Sequence, residues 1–127
     1  MRALIFRRRK HDQSDKVESG GAVEVDQSVV ISLRLSDTGF GTDAERARFV
    51  RFEDEISTAL ASSGLGFVDG HGFGDGTAEL FLLGASADSL YALVEPVVKG
   101  FRPATGSSAL LLYGSDEHAT SRTITLD

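Results

Sequence analysis

Asp69-Gly70-His71-Gly72-Phe73-Gly74-Asp75-Gly76 separates two short apolar runs, Leu65 to Val68 and Ala78 to Leu83, and reads as a glycine-rich loop joining paired strands. A helix-like segment precedes this hairpin and another follows it, with strand-like runs outside both. The order from about Val29 to Tyr113 is therefore β-α-β-β-α-β.

Working outward, Val29, Ile31, Leu33 and Leu35 alternate with Val30, Ser32, Arg34 and Ser36, the period-two pattern of a strand with one apolar face. After the turn-rich Ser36 to Gly41, Thr42-Asp43-Ala44-Glu45 has capping-box spacing and predicts a helix from Asp43. Phe49, Phe52, Ile56, Ala59 and Leu60 fall at helical steps, Gly64 supplies a left-handed stop, and Arg46, Arg51, Asp54 and Glu55 mark the solvated side. Beyond the hairpin, Ser86 caps a second helix with Leu90, Leu93, Val94, Val97 and Phe101 on its apolar stripe. Pro96 predicts a kink or an early stop there. Ala109 to Tyr113 reads as a buried strand, and the Thr-rich Ser121 to Leu126 as one further strand after a polar turn. At the other end, Ala3 to Phe6 and Ala22 to Val25 suit brief edge strands, with a charged arm over Arg7 to Gly21 between them.

Two helices with apolar stripes over one side of a four-stranded antiparallel sheet predict an α+β, ferredoxin-like two-layer sandwich (βαββαβ) with strand order 4-1-3-2. It carries an N-terminal arm or strand extension over residues 1–27 and an extra C-terminal strand; residues 28–127 form the single domain. If the helices cover Ile31, Leu33, Ala78, Leu80 and Leu82, the opposite face presents Val30, Ser32, Arg34, Glu79, Phe81 and Leu83, together with Leu110 and Leu112. Contiguous apolar surface of this kind marks an interface, so that face needs a cover: residues 1–27 and the last strand, or a second copy of the chain.

The segment from Val29 to Gly114 resembles small bacterial ferredoxin-like domain proteins. The resemblance rests on the strand-helix alternation, on Phe52-Glu53-Asp54-Glu55, on Phe73-Gly74-Asp75-Gly76 and on Glu95-Pro96. It covers about two thirds of the chain and leaves the N-terminal arm outside. It implies no catalytic residues.

At 127 residues the chain suffices for one hydrophobic core. A hydrophobic fraction of 41% and a charged fraction of 25% are globular values. The absence of cysteine excludes disulfides, thiolate metal sites and a cysteine nucleophile. No apolar run approaches the roughly 20 residues of a membrane helix, and the basic cluster follows the first apolar stretch, where a signal peptide has it in front. Those features predict a cytoplasmic protein that does not engage a membrane. Net charge is −6, and residues 27–127 hold 14 acidic against 7 basic groups. That field repels phosphate backbones, predicts no nucleic-acid binding and favours a basic protein partner or a small ligand.

The chemistry-bearing residues are sparse. His71 with Asp69 and Asp75 is the one place where a histidine and carboxylates meet in the glycine stretch, and these three are the metal candidates. The set lacks the acidic spacing of a calcium loop, and a solvated turn is the plainer reading. Gly72-Phe73-Gly74 is superficially like the aromatic-glycine motif of RNA-recognition domains, but Asp75 and Gly76 follow where that motif continues with aromatic and aliphatic residues. Arg7 to His11 is the one basic run and reads as a solvated arm. No nucleophile elbow, triad or phosphate loop is present, so no cofactor is expected. The expectation is a noncatalytic domain acting by association, as a homodimer or with a basic partner, through Val30, Ser32, Arg34, Glu79, Phe81 and Leu83. The alternative is a binder or enzyme for an anionic small molecule that Arg34 would hold over the same face, with Glu79 and Phe81 lining the pocket.

Overall fold

A computed structural model describes residues 25–126 and the backbone of residues 5–8. Among the described residues the chain is an α+β fold in which two helices pack on a six-stranded sheet whose neighbouring strands are all antiparallel. The elements run β1 (Ile5–Arg8), β2 (Gln27–Arg34), α1 (Asp43–Ser63), β3 (Gly66–Gly74), β4 (Thr77–Gly84), α2 (Ala87–Phe101), β5 (Ser108–Leu112) and β6 (Ser121–Thr125). Across the sheet the order is β1-β3-β4-β2-β5-β6, so β2 and β4 are central and β1 and β6 are the edges. The arrangement is compatible with a ferredoxin-like sandwich. Among the described residues no helix is long and apolar enough to cross a membrane.

Alternation in β2 sorts its side chains as the sequence requires. Val29, Ile31 and Leu33 are sealed beneath the helices, joined from β4 by Ala78, Leu80 and Leu82 and from β5 by Ala109 and Leu111. Helix α1 closes this core over β3 with Phe49, Phe52, Ile56 and Leu60, and α2 closes it over β2, β4 and β5 with Leu90, Val94 and Val98.

The capping box forms as the spacing dictates. Glu45 N–H donates to Thr42 Oγ1 at 3.1 Å, and Thr42 N–H donates back to Glu45 Oε1 at 3.0 Å. The same carboxylate also accepts from the backbone and hydroxyl of Ser36, each at 3.0 Å, tying the end of β2 to the start of α1. The Thr42 amide first, then the Ser36 donors, hold the Glu45 carboxyl below the ordinary glutamate range. A depressed acid stabilises the fold above its unfolded-state value, and that contribution disappears as pH falls through the folded value. Glu45→Ala is therefore expected to cost about 1 kcal/mol at neutral pH, tempered by solvent at this exposed helix end, and progressively less in acid. Paired denaturant titrations of the two proteins at neutral and acid pH check this; an equal gap at both would refute the carboxylate's part.

The structure corrects three expectations. Asp69 to Gly74 is strand, not loop: β3 runs through to Gly74, and the turn is only Asp75 (φ 53) and Gly76 (φ 80). Two consecutive positive φ values make the type I′ hairpin whose twist matches its strands. Gly76 is held in place by N–H donation to Gly39 O at 3.0 Å and by accepting from Leu35 N–H at 2.8 Å. Next, α2 continues past Pro96 to Phe101 with no early stop. The hydrogen bond that Pro96 removes would have gone to Ala92 O, and both residues are exposed, so water can serve that carbonyl. Finally, the edge strand holds the expected Ile5 and Phe6 but continues to Arg8, into the expected charged arm, and pairs Arg7 with His71 in β3; Ala3 and Leu4 lie outside the described residues. Val25, the last residue of the second expected edge strand, is not in a strand. Ala22 to Glu24, the rest of the charged arm beyond Arg8, and any covering of the sheet by those residues lie outside the described residues.

Candidate association face

The side of the sheet away from the helices is assembled by register. Val30 sits opposite Phe81 on one neighbour and Leu110 on the other. Ser28 is opposite Leu83 and Leu112, and Ser32 is opposite Glu79 and Ser108. The β2 ladders thus bring Val30, Ser32, Phe81, Leu83, Leu110 and Leu112 together, as the alternation predicted. All six are half-buried, which leaves a continuous apolar strip on this side of the three strands.

At one end the strip turns polar. Ser32 Oγ donates to Glu79 Oε2 at 3.1 Å across the β2–β4 pair, and Glu79 is 8% exposed. Arg34 closes β2. Its N–H donates to the buried Ser107 Oγ at 2.8 Å, while its exposed side chain extends past Gly106 and towards Gly76. No carboxylate among the described residues lies within ion-pair distance of Arg34. Beyond Glu79 and Phe81, β3 contributes Gly72 and Gly70, so the strip meets nearly bare backbone there.

The metal candidates do not converge. A bulge between Val68 and Gly70 shifts the β3 register, after which His71 and Phe73 pair with Leu80 and Ala78 and share the helix-facing side. His71 Nδ1 faces both carboxylate oxygens of Glu53 on α1, at 3.0 and 3.2 Å, with its ring edge-on to Phe49 and Phe73. Asp69 is buried at the bulge, and Asp75 is exposed in the turn. Among the described residues no three His, Asp or Glu side chains group as a metal would need.

Sequence reasoning missed the His71–Glu53 pair. The partners stand 18 positions apart on different elements, so no local spacing announces them. It also missed Tyr91 and Val98, whose burial turns the inward stripe of α2 away from the expected one. The Ala87–Leu90–Tyr91–Val94–Val98 spacing carried that signal.

Comparison of the chain with protein-family models, with curated proteins and with solved structures finds no match in any of the three.

Proposed function

We propose that this chain is a noncatalytic, ferredoxin-like association domain of the bacterial cytoplasm, and that two copies meet through the face built by Val30, Phe81, Leu83, Leu110 and Leu112. The observation that carries the reading is the alignment of five apolar side chains from three adjacent strands on the side opposite both helices. Contiguous apolar surface rimmed by polar groups is what self-complementary interfaces use, and covering each of these half-buried side chains adds a fraction of the ~1.5 to 3 kcal/mol of full burial. Ser32, Glu79 and Arg34 form the polar end of the patch and fix its orientation. A basic protein partner drawn by the net charge of −6 is the heterotypic form of the same reading.

The test is mass in solution. Sedimentation equilibrium is expected to show a concentration-dependent dimer, and Leu110→Arg, at a half-buried position of the strip, is expected to weaken it at least ~10-fold with the thermal midpoint little changed. A strict monomer at all concentrations would rule out self-association. The second reading, an anionic small molecule held over the same face by Arg34, draws on that side chain's exposure and lack of an acidic partner among the described residues. Perturbation of the Arg34 guanidinium by a small carboxylate would favour it.

A further inference from the structure

On the helix side of the sheet, α2 and the edge strand β6 diverge and leave a groove in two adjoining lobes of about 320 Å³ and about 440 Å³. Tyr91, Glu95 and Ile124 line both lobes. Tyr91 is 7% exposed, yet its hydroxyl has no hydrogen-bond partner among the described residues. The ring is packed against the core, while the hydroxyl opens onto the groove, where a ligand or water meets it.

Charges of both signs surround it. Glu95 is engaged by Lys99 at 3.5 Å, and Asp88 accepts from the Tyr113 hydroxyl at 2.7 Å. Arg122, in one lobe, and Arg102, in the other, have no carboxylate within ion-pair distance among the described residues. Together the two lobes hold three cations, Lys99, Arg102 and Arg122, against two carboxylates, Asp88 and Glu95, a small positive excess on a chain of net charge −6. Burial, followed by the nearby Glu95, pushes the Tyr91 hydroxyl above the ordinary tyrosine range against the pull of Arg122, so it stays a protonated donor at neutral pH.

We propose that the α2–β6 groove is a binding site for a small amphipathic anion, a carboxylate with an apolar body. Its carboxylate accepts from the Tyr91 hydroxyl and from the Arg122 guanidinium, and its apolar body lies along Ile124 and Val98. An acceptor there pairs with the Tyr91 hydroxyl, and a guanidinium suits the planar carboxylate. The lobes have the size of small-ligand clefts. The site is on the opposite side of the sheet from the association face, so the two proposals stand or fall separately.

The test uses three probes with one six-carbon body and different heads: hexanoate, hexan-1-ol and hexylamine, titrated into the full chain by two-dimensional NMR. Hexanoate is expected to shift Tyr91, Ile124 and the Arg122 side-chain resonance, with hexan-1-ol at least ~10-fold weaker and hexylamine silent, because the head group supplies the charge-assisted bonds. Tyr91→Phe is expected to weaken hexanoate ~2- to 10-fold and Arg122→Gln ~10-fold or more, following the usual worth of a neutral and a charged hydrogen bond. Arg122 is exposed, so Arg122→Gln tests the site without endangering the core. The proposal is overturned by silence at Tyr91 and Arg122 up to about 10 mM hexanoate, where even a ligand this small registers. An equal response to all three heads, shifts centred on Arg34, or wild-type binding by both variants would overturn it as well.

Discussion

Gly66→Ala is expected to lower the unfolding free energy by about 3 kcal/mol or more, enough to consume a large part of a typical domain's stability. Gly66 and Gly84 face each other at the start of β3 and the end of β4, beneath the fully buried Leu90 of α2. A methyl on Gly66 would lie 2.1 Å from Leu83 O and 2.7 Å from Leu90 Cδ2, and one on Gly84 would lie 2.4 Å from Leu65 O. The nearest atoms are backbone carbonyls, which cannot rotate aside as the tip of a side chain can. Relief therefore requires the ladder to part or the helix to lift. Gly100→Ala is the control: position 100 is helical and exposed with nothing within 4 Å, so the same methyl is expected to stabilise by about 0.5 to 1 kcal/mol. Denaturant midpoints of the two variants should move in opposite directions. Equal small effects would mean that α2 does not rest on this glycine pair.

Phe49→Ala is expected to cost about 3 to 5 kcal/mol. Phe49 is 1% exposed and fixes α1 to β3 through a cluster of rings, 5.1 Å from Phe73, 5.9 Å from His71 and 6.0 Å from Phe52 between centroids. Truncation removes the ring and leaves a void that neighbours on a helix and a strand cannot both close. The His71–Glu53 pair stands against the same rings, so the His71 ring protons should shift in the variant along with the loss of stability. Adding Phe73→Ala should cost less than the sum of the two single changes, because the second ring has already lost its main partner. A Phe49→Ala penalty below about 1 kcal/mol would be incompatible with a sealed site.

Much of the architecture was legible along the chain because it is written in local terms. Val29, Ile31, Leu33 and Leu35 announce a half-buried strand by alternation; Thr42 with Glu45, and Ser86, announce helix starts by chemistry; Gly64 announces a stop by its freedom at φ 74. Once β2 and β4 are placed, their pleat decides that Val30, Ser32, Phe81 and Leu83 share a side. The failures came where distant partners overrule local preference. Gly70, Gly72 and Gly74 resemble loop punctuation, yet β3 is held as strand by its ladder to β4 on both sides of the bulge and by a further pairing with β1. The Asp75-Gly76 dipeptide was the better guide to the turn, since two adjacent positive φ angles ask for that pair. Pro96 signalled a kink or an early stop, and α2 does not stop there. The α2–β6 groove had no sequence signature, because its tyrosine and arginine come from elements 31 positions apart and meet only when β6 joins the sheet.

The central strand β2 has both of its neighbours later in the chain, β4 beginning at Thr77 and β5 ending at Leu112. During synthesis its oily side must therefore wait, unroofed, until most of the polypeptide has emerged, whereas the β3–β4 hairpin can zip at once around its two-residue turn. Loop closure over such separations is slow, so the vulnerable species is a half-made chain with an orphaned Val29-Ile31-Leu33 ribbon. Chaperone capture of truncated nascent chains is expected to fall away sharply once residue 112 has cleared the ribosomal exit tunnel.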